Sequence, residues 1–228
     1  YINTKLHIAH LSSKDSLKTI LHYKKLGVDV TVETCPHYLT LTDDVFNDMG
    51  TPAKMSPPLR KPKDIDVLWN AVASGLIDVI ASDAAGHMQS ANEPLHEKVF
   101  NAPNGIPGME SLVKVIYEEG VNHQKISLPA MVKQMCENPA RIFGLYPQKG
   151  VLELRSDADI VIFNPNSHYT IPPRNPHLNV DYSMYDGREG TGMVQTTILR
   201  GEIIMDKGKL SETGISGQFV RGQKLKAD

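Results

Sequence analysis

The chain has 228 residues, 40% hydrophobic and 22% charged, with a formal net charge of −2. That length can bury a sizeable core in one or two domains, and the composition is that of a globular protein. A near-neutral balance with no long basic block gives no footprint for nucleic acid or an acidic membrane surface, and no apolar run nears the roughly 20 residues that span a bilayer. The expected partner is therefore a small molecule.

In chain order, residues 5–11 read as a buried strand, after which Ser13 caps a helix whose apolar positions Leu17, Ile20, Leu21 and Leu26 follow helical spacing until Gly27 stops it. A second strand covers 28–34. The segment through Cys35-Pro36-His37-Tyr38 and Ser56-Pro57-Pro58-Leu59-Arg60 reads as irregular and turn-rich. Ile65, Leu68, Trp69 and Val72 restore a helix from Pro62 to Gly75, with Trp69 and the methionines expected in the core. A strand over 77–82 then leads into Asp83. Residues 84–108 show no periodicity, the mark of a binding or lid loop.

Leu112, Val115 and Ile116 predict a helix ending at Gly120, and another spans 127–143 before Gly144. Strands alternating with helices imply βαβ units and a parallel sheet, either Rossmann-like or part of a (β/α)₈ barrel. Beyond a boundary near residue 147, short β-like runs follow at 150–154, 159–163 and 195–205, with a hairpin at Gly201. Residues 164–194 read as a long surface loop. The expected domains are therefore 1–147 and a small β-domain, 148–228.

Cys35 and Cys136 are too few and too far apart for a disulfide framework or a Cys-rich zinc site, so they read as reduced thiols of a cytoplasmic protein. The chain opens with Tyr1 and enters a strand pattern at once, from which a fragment of a longer protein is expected.

Ligands in α/β proteins gather at the carboxyl ends of parallel strands, which is where His10 and Asp83 fall. An imidazole and a carboxylate suit zinc or a similar divalent ion, yet two ligands are too few for a site, and satisfied structural residues explain the pair as well. His7 cannot simply join them, because residues three apart on a strand face opposite sides. The chain has no His-x-His, His-Glu-x-x-His, Gly-x-Gly-x-x-Gly or Walker lysine element. Asn104, between Pro103 and Gly105, carries an amide that could pair with the −CO−NH−CO− edge of a cyclic imide, or is a turn asparagine. Ser56 precedes two prolines and His87 follows Asp83 by four residues; both are candidate ligand contacts, and both have plain structural readings.

Several motifs in this order resemble the C-terminal half of a cyclic amidohydrolase of the hydantoinase and dihydropyrimidinase group, which includes allantoinases and dihydroorotases. They are His7-Ile8-Ala9-His10-Leu11-Ser12-Ser13, Glu33-Thr34-Cys35-Pro36-His37-Tyr38-Leu39, Ser56-Pro57-Pro58-Leu59-Arg60, Pro103-Asn104-Gly105-Ile106-Pro107-Gly108, Asn138-Pro139-Ala140 and Asp157-Ala158-Asp159-Ile160-Val161. Asn179-Val180-Asp181-Tyr182-Ser183 and Ile198-Leu199-Arg200-Gly201 continue the match.

The resemblance implies an α/β fold, the C-terminal part of a metal-dependent (β/α)₈ TIM barrel followed by a small β-sandwich domain. It also implies two divalent metal ions in the full-length protein, usually zinc, and an assembly of identical chains, commonly a tetramer. His10 and Asp83 become metal ligands, with Asp83 also the catalytic general base. Ser56, Asn104 and His87 become substrate-binding residues. The remaining ligands would lie upstream of residue 1, so this segment alone is expected to be inactive.

Ala84 stands where many relatives place a histidine. His87 points toward dihydroorotases and Asn104 toward hydantoinases. The activity implied is metal-dependent hydrolysis of a cyclic amide C–N bond, opening a hydantoin or dihydropyrimidine ring to an N-carbamoyl amino acid. An allantoinase or dihydroorotase is the runner-up, and a non-catalytic amidohydrolase-like scaffold is the alternative from another class.

Overall fold

Ser13 takes an extended backbone and its hydroxyl accepts a hydrogen bond from the Ser16 N–H (3.2 Å), with Asp15 in the first helical turn and Lys24 and Lys25 in the last. These choices satisfy an orphan donor and match the helix dipole, so helix α1 (Lys14–Lys25) forms as its spacing predicts. It connects strand β1 (Leu6–Ile8) to β2 (Val30–Thr34), which run parallel in the register Leu6↔Val30 to Ile8↔Val32. The computed structural model that shows this describes residues 4–90, 97–174, 177–212 and 217–223.

Strand β3 (Val79–Ile80) pairs parallel with the far edge of β2, giving the order β1-β2-β3. It is shorter than the 77–82 run predicts. The Asp78 carboxylate extends the join, accepting from the Val32 N–H (2.8 Å) and the Lys24 ammonium (3.0 Å). The segment expected to be irregular holds two short helices, α2 (Pro36–Thr40) and α3 (Val45–Met49). Proline at the first turn of α2 costs nothing there, since that N–H has no helical partner. Helix α4 (Pro62–Ala73) follows as predicted, and Trp69 is buried with its indole N–H on the Leu39 carbonyl (2.8 Å).

Among the described residues the stretch after Asp83 carries no α-helix or strand until α5 (Leu112–Ile116); positions 91–96 of the expected loop lie outside them. Gly120 does not end this helix. It sits inside a wide π-type turn, Tyr117–Asn122, where a Cβ would lie 3.0 Å from the Trp69 ring and 3.1 Å from Ile126. The helical path over 127–143 is α6 (Leu128–Val132), a second π-type turn (Lys133–Glu137) and α7 (Asn138–Ile142). Buried Gln134 lies in that turn and donates to the Val72 carbonyl (2.8 Å).

The chain then changes to an antiparallel sheet ordered β4 (Ile160–Thr170), β5 (Glu189–Leu199), β6 (Glu202–Asp206) and β7 (Lys209–Leu210). Two expectations fail here. Residues 164–194 are not one loop, because β4 runs on to Thr170 and β5 begins at Glu189; register shifts at Ile162/Phe163 and between Asn164 and His168 accommodate Pro165, which has no N–H to give the ladder. The run 150–154 is not a strand either. The Lys149 ammonium binds both the Asp157 and Asp159 carboxylates, folding the stretch into turns with Leu152 and Leu154 exposed. The hairpin at Gly201 forms as expected, with Arg200 and Gly201 both at positive φ.

The two parts share a core. Val32, Leu68, Val72, Ile77, Val115 and Ile116 are fully buried between the parallel strands and the helices, and Tyr117 packs against Phe163 of β4 with ring centroids 4.6 Å apart. The Tyr169 hydroxyl donates to the Lys114 carbonyl (3.0 Å), fastening the sheet to α5.

Candidate metal and substrate site

β2, the middle strand of the parallel sheet, positions both predicted ligands. The Leu11 N–H donates to the Glu33 carbonyl (2.8 Å), and the Thr34 hydroxyl donates to the Leu11 carbonyl (2.8 Å), fixing the turn that carries His10 just past β1. On its other side the Ala81 N–H donates to the Thr34 carbonyl (3.0 Å), two residues before Asp83. His10 and Asp83 both take left-handed backbone conformations, with φ of 42° and 43°. Such conformations cost on the order of 1–3 kcal/mol and cluster where a side chain must be aimed at a ligand.

His10 Nδ1 is buried with no hydrogen-bond partner. Burial pushes the Asp83 carboxyl above the ordinary carboxylate value; the nearby His10 opposes that and the Glu33 carboxylate adds to it, so the three groups lie within electrostatic reach. His7 faces elsewhere, as the strand alternation requires, with Nδ1 at 2.8 Å from the Thr31 hydroxyl and Nε2 at 3.1 Å from Glu33.

Two residues of this centre escaped the sequence reading as ligand candidates. Cys35 follows β2 as the N-cap of α2, and His37 lies in that helix's first turn; both side chains are buried, at 0% and 2% exposure. One donor atom each from Cys35, His37 and Asp83 lie within 4.8 Å of one another. Burial, aided by the charge of His10, lowers the His37 imidazole to about 3, and His37 Nε2 has no hydrogen-bond partner. Burial first, then the Asp83 and Glu33 charges, pushes the Cys35 thiol far up. Orphaned buried imidazole nitrogens beside a carboxylate whose burial disfavours its charge are groups that a divalent cation would satisfy.

The residues expected to contact substrate lie on three loops tied together. The Gly105 N–H donates to the Lys54 carbonyl (2.9 Å), which joins the turn carrying Asn104 to the segment carrying Ser56. His87 Nε2–H donates to the Asn104 carbonyl (2.8 Å), and the Ala85 N–H donates to the Ile106 carbonyl (2.9 Å). Arg60 Nε donates to the Ser12 hydroxyl (3.2 Å), and the Tyr38 hydroxyl donates to the Pro57 carbonyl (2.7 Å). Asp181 accepts from the Gln89 and Ser90 N–H groups (2.6 and 2.9 Å), anchoring the far end of the loop after Asp83. Ser56 and Asn104 are exposed. His10 thus lies within electrostatic reach of Asp83, a hydrogen bond joins His87 to Asn104, and the Ser56 segment is tied in through the Lys54 and Pro57 carbonyls.

This arrangement has known counterparts. The Amidohydrolase family profile matches residues 4–204, and the chain belongs to that family. It is 35% identical over 229 residues to the D-hydantoinase of Ralstonia pickettii, covering 99% of this chain and 50% of that protein. It is 36% identical over 216 residues to the allantoinase of Escherichia coli O139:H28, covering 95% of this chain and 47% of that protein. The crystal structure of the dihydropyrimidinase from Brevibacillus agri NCHU1002 superposes with a TM-score of 0.88 at 32% identity, over 91% of this chain and 46% of that one. The chain spans about half the length of the curated relatives it matches. Its fold is α/β, part of a (β/α)₈ barrel followed by a small antiparallel β-domain. No helix among the described residues is long and apolar enough to cross a membrane.

Proposed function

We propose that the full-length protein hydrolyses the C–N bond of a cyclic amide, opening a hydantoin or dihydropyrimidine ring to an N-carbamoyl amino acid. The observation that carries this reading is the pairing of His10, with its orphaned Nδ1, and Asp83, each at a strand end in a left-handed conformation, in a fold similar to D-hydantoinase. Amidohydrolase-family hydantoinases are metal-dependent. His10 and Asp83 would hold a divalent ion, most simply zinc, with further ligands from the rest of the full-length protein. Such an ion supplies Lewis-acid activation of water and of the ring carbonyl.

The chain's own residues do the rest. Asp83 accepts a proton from the attacking water as the new C–O bond forms, and returns it to the ring nitrogen as the C–N bond breaks. The Asn104 amide both donates and accepts, so with Ser56 it can hold the −CO−NH−CO− edge of the ring. His87 steadies the turn that presents Asn104.

The similarity to an allantoinase supports allantoin as a second candidate ring. A panel of hydantoin, dihydrouracil, allantoin and dihydroorotate, offered to the full-length protein with zinc or manganese, tests the reading. Release of an N-carbamoyl amino acid from the first or second is expected, and no ring opening at all would overturn it. An assembly of identical chains belongs to the same reading. In the 228-residue chain by itself, β1 and β3 have one unpaired edge each among the described residues, and Leu6 in β1 is exposed, which invites association. Light scattering of the 228-residue chain should give a mass above that of one chain, and a monomer would contradict it.

A further inference from the structure

We propose that Cys35, His37 and Asp83 form a cation site of their own, which takes a borderline-soft divalent ion such as zinc, cadmium or cobalt without any residue from outside this chain. It differs from the pair proposed above in its thiol and second imidazole, both supplied by the turn between β2 and α2, and it does not require His10. Three observations carry it. The donor atoms lie within 4.8 Å of one another, whereas ligands around a tetrahedral ion with bonds of about 2.0–2.3 Å are about 3.5 Å apart, so side-chain adjustments of the order of an ångström close the site. His37 is 98% buried by its 2% exposure, and its Nε2 has no partner. The set comprises one sulfur, one nitrogen and one carboxylate oxygen, with the side toward Asp83 open for a solvent ligand, a combination that selects against magnesium and calcium.

On binding, the Cys35 sulfur–metal bond forms as the thiol proton leaves to the buffer, with no redox change. An ion there occupies an oxygen of Asp83 that the ion held with His10 also needs, so zinc, cadmium or cobalt in excess of that ion would oppose hydrolysis; that consequence alone rests on the hydrolytic reading.

Cobalt(II) titrated into the 228-residue chain under reducing conditions tests the site by its thiolate-to-cobalt charge-transfer absorption, independently of turnover. One cobalt per chain with that band, displaced by zinc, is expected. Cys35→Ser should abolish the band, whereas Cys136→Ser should keep it. Because Cys35 is wholly buried and its substitution can disturb the fold, His37→Gln provides a second reading, in which the thiol remains and cobalt binds about tenfold more weakly or worse. No band, a band lost with Cys136 instead of Cys35, or unchanged affinity in His37→Gln would overturn the site. The band in the 228-residue chain, together with no ring opening by the full-length protein, would uphold the site and refute the hydrolytic reading.

Discussion

Gly105 stands at φ +98°, and a Cβ there would lie 2.5 Å from the Ala85 Cβ, so the turn bearing Asn104 closes on the loop after Asp83 only because both residues are small. Gly105→Ala should lower stability by about 1–3 kcal/mol through backbone strain and overpacking, and raise KM more than it lowers kcat in the full-length protein. Urea unfolding with steady-state kinetics checks both. His37 makes a second residue-scale prediction for the metal-free chain. Its imidazole falls from 6.5 to about 3 on folding, so below pH 6.5 the unfolded chain binds a proton that the folded chain refuses. Stability should therefore decline as the pH falls from 6.5 toward 3, by up to about 1.4 kcal/mol per pH unit from this group. Denaturant unfolding between pH 6.5 and 5 should show a shallower slope for His37→Gln, and an equal slope would refute the assignment. His10 and Asp83 were legible because an apolar run ending in a polar residue marks a strand end. Cys35 and His37 were not, because their meeting with Asp83 depends on how the turn after β2 folds beside β3.

At the scale of elements, the asparagine of Asn138-Pro139-Ala140 explains itself. Its side-chain amide donates to the Asp78 carbonyl (2.7 Å), pinning the start of α7 to the residue that leads into β3. Asn138→Ala should cost about 1–3 kcal/mol, since it strands that carbonyl, and a loss below a few tenths in urea unfolding would show that the bond is not structural. Asp159 of a later motif is structural too, its carboxylate accepting from the Arg200 N–H (2.9 Å) and binding the Lys149 ammonium. Helices with a stop signal and regular spacing, α1 and α4, were readable from sequence. Strand β4 past Phe163 was not, because Asn164, Pro165 and Asn166 look like a loop, and the bulges that tolerate them arise only once β5 pairs alongside.

The whole molecule joins a parallel, barrel-type layer to an antiparallel sheet through Tyr117, Phe163 and Gly192, where any side chain on Gly192 would collide with the Tyr117 ring. The chain between β4 and β5 also steadies the loop after Asp83, because Asp181 binds the backbone of Gln89 and Ser90. This division was legible in sequence as a change from alternating helix and strand patterns to short β-runs. The joining contacts were not, since they pair residues far apart in the chain. The central claim is that Asp83 moves the proton during cyclic amide hydrolysis, and the most direct measurement is ring opening of hydantoin and dihydrouracil by the full-length protein and its Asp83→Asn variant, each loaded with zinc. Turnover by the parent and a loss of about 10²–10⁴-fold in the variant, with the fold retained by circular dichroism, is the predicted result. Equal turnover by the two proteins would contradict it.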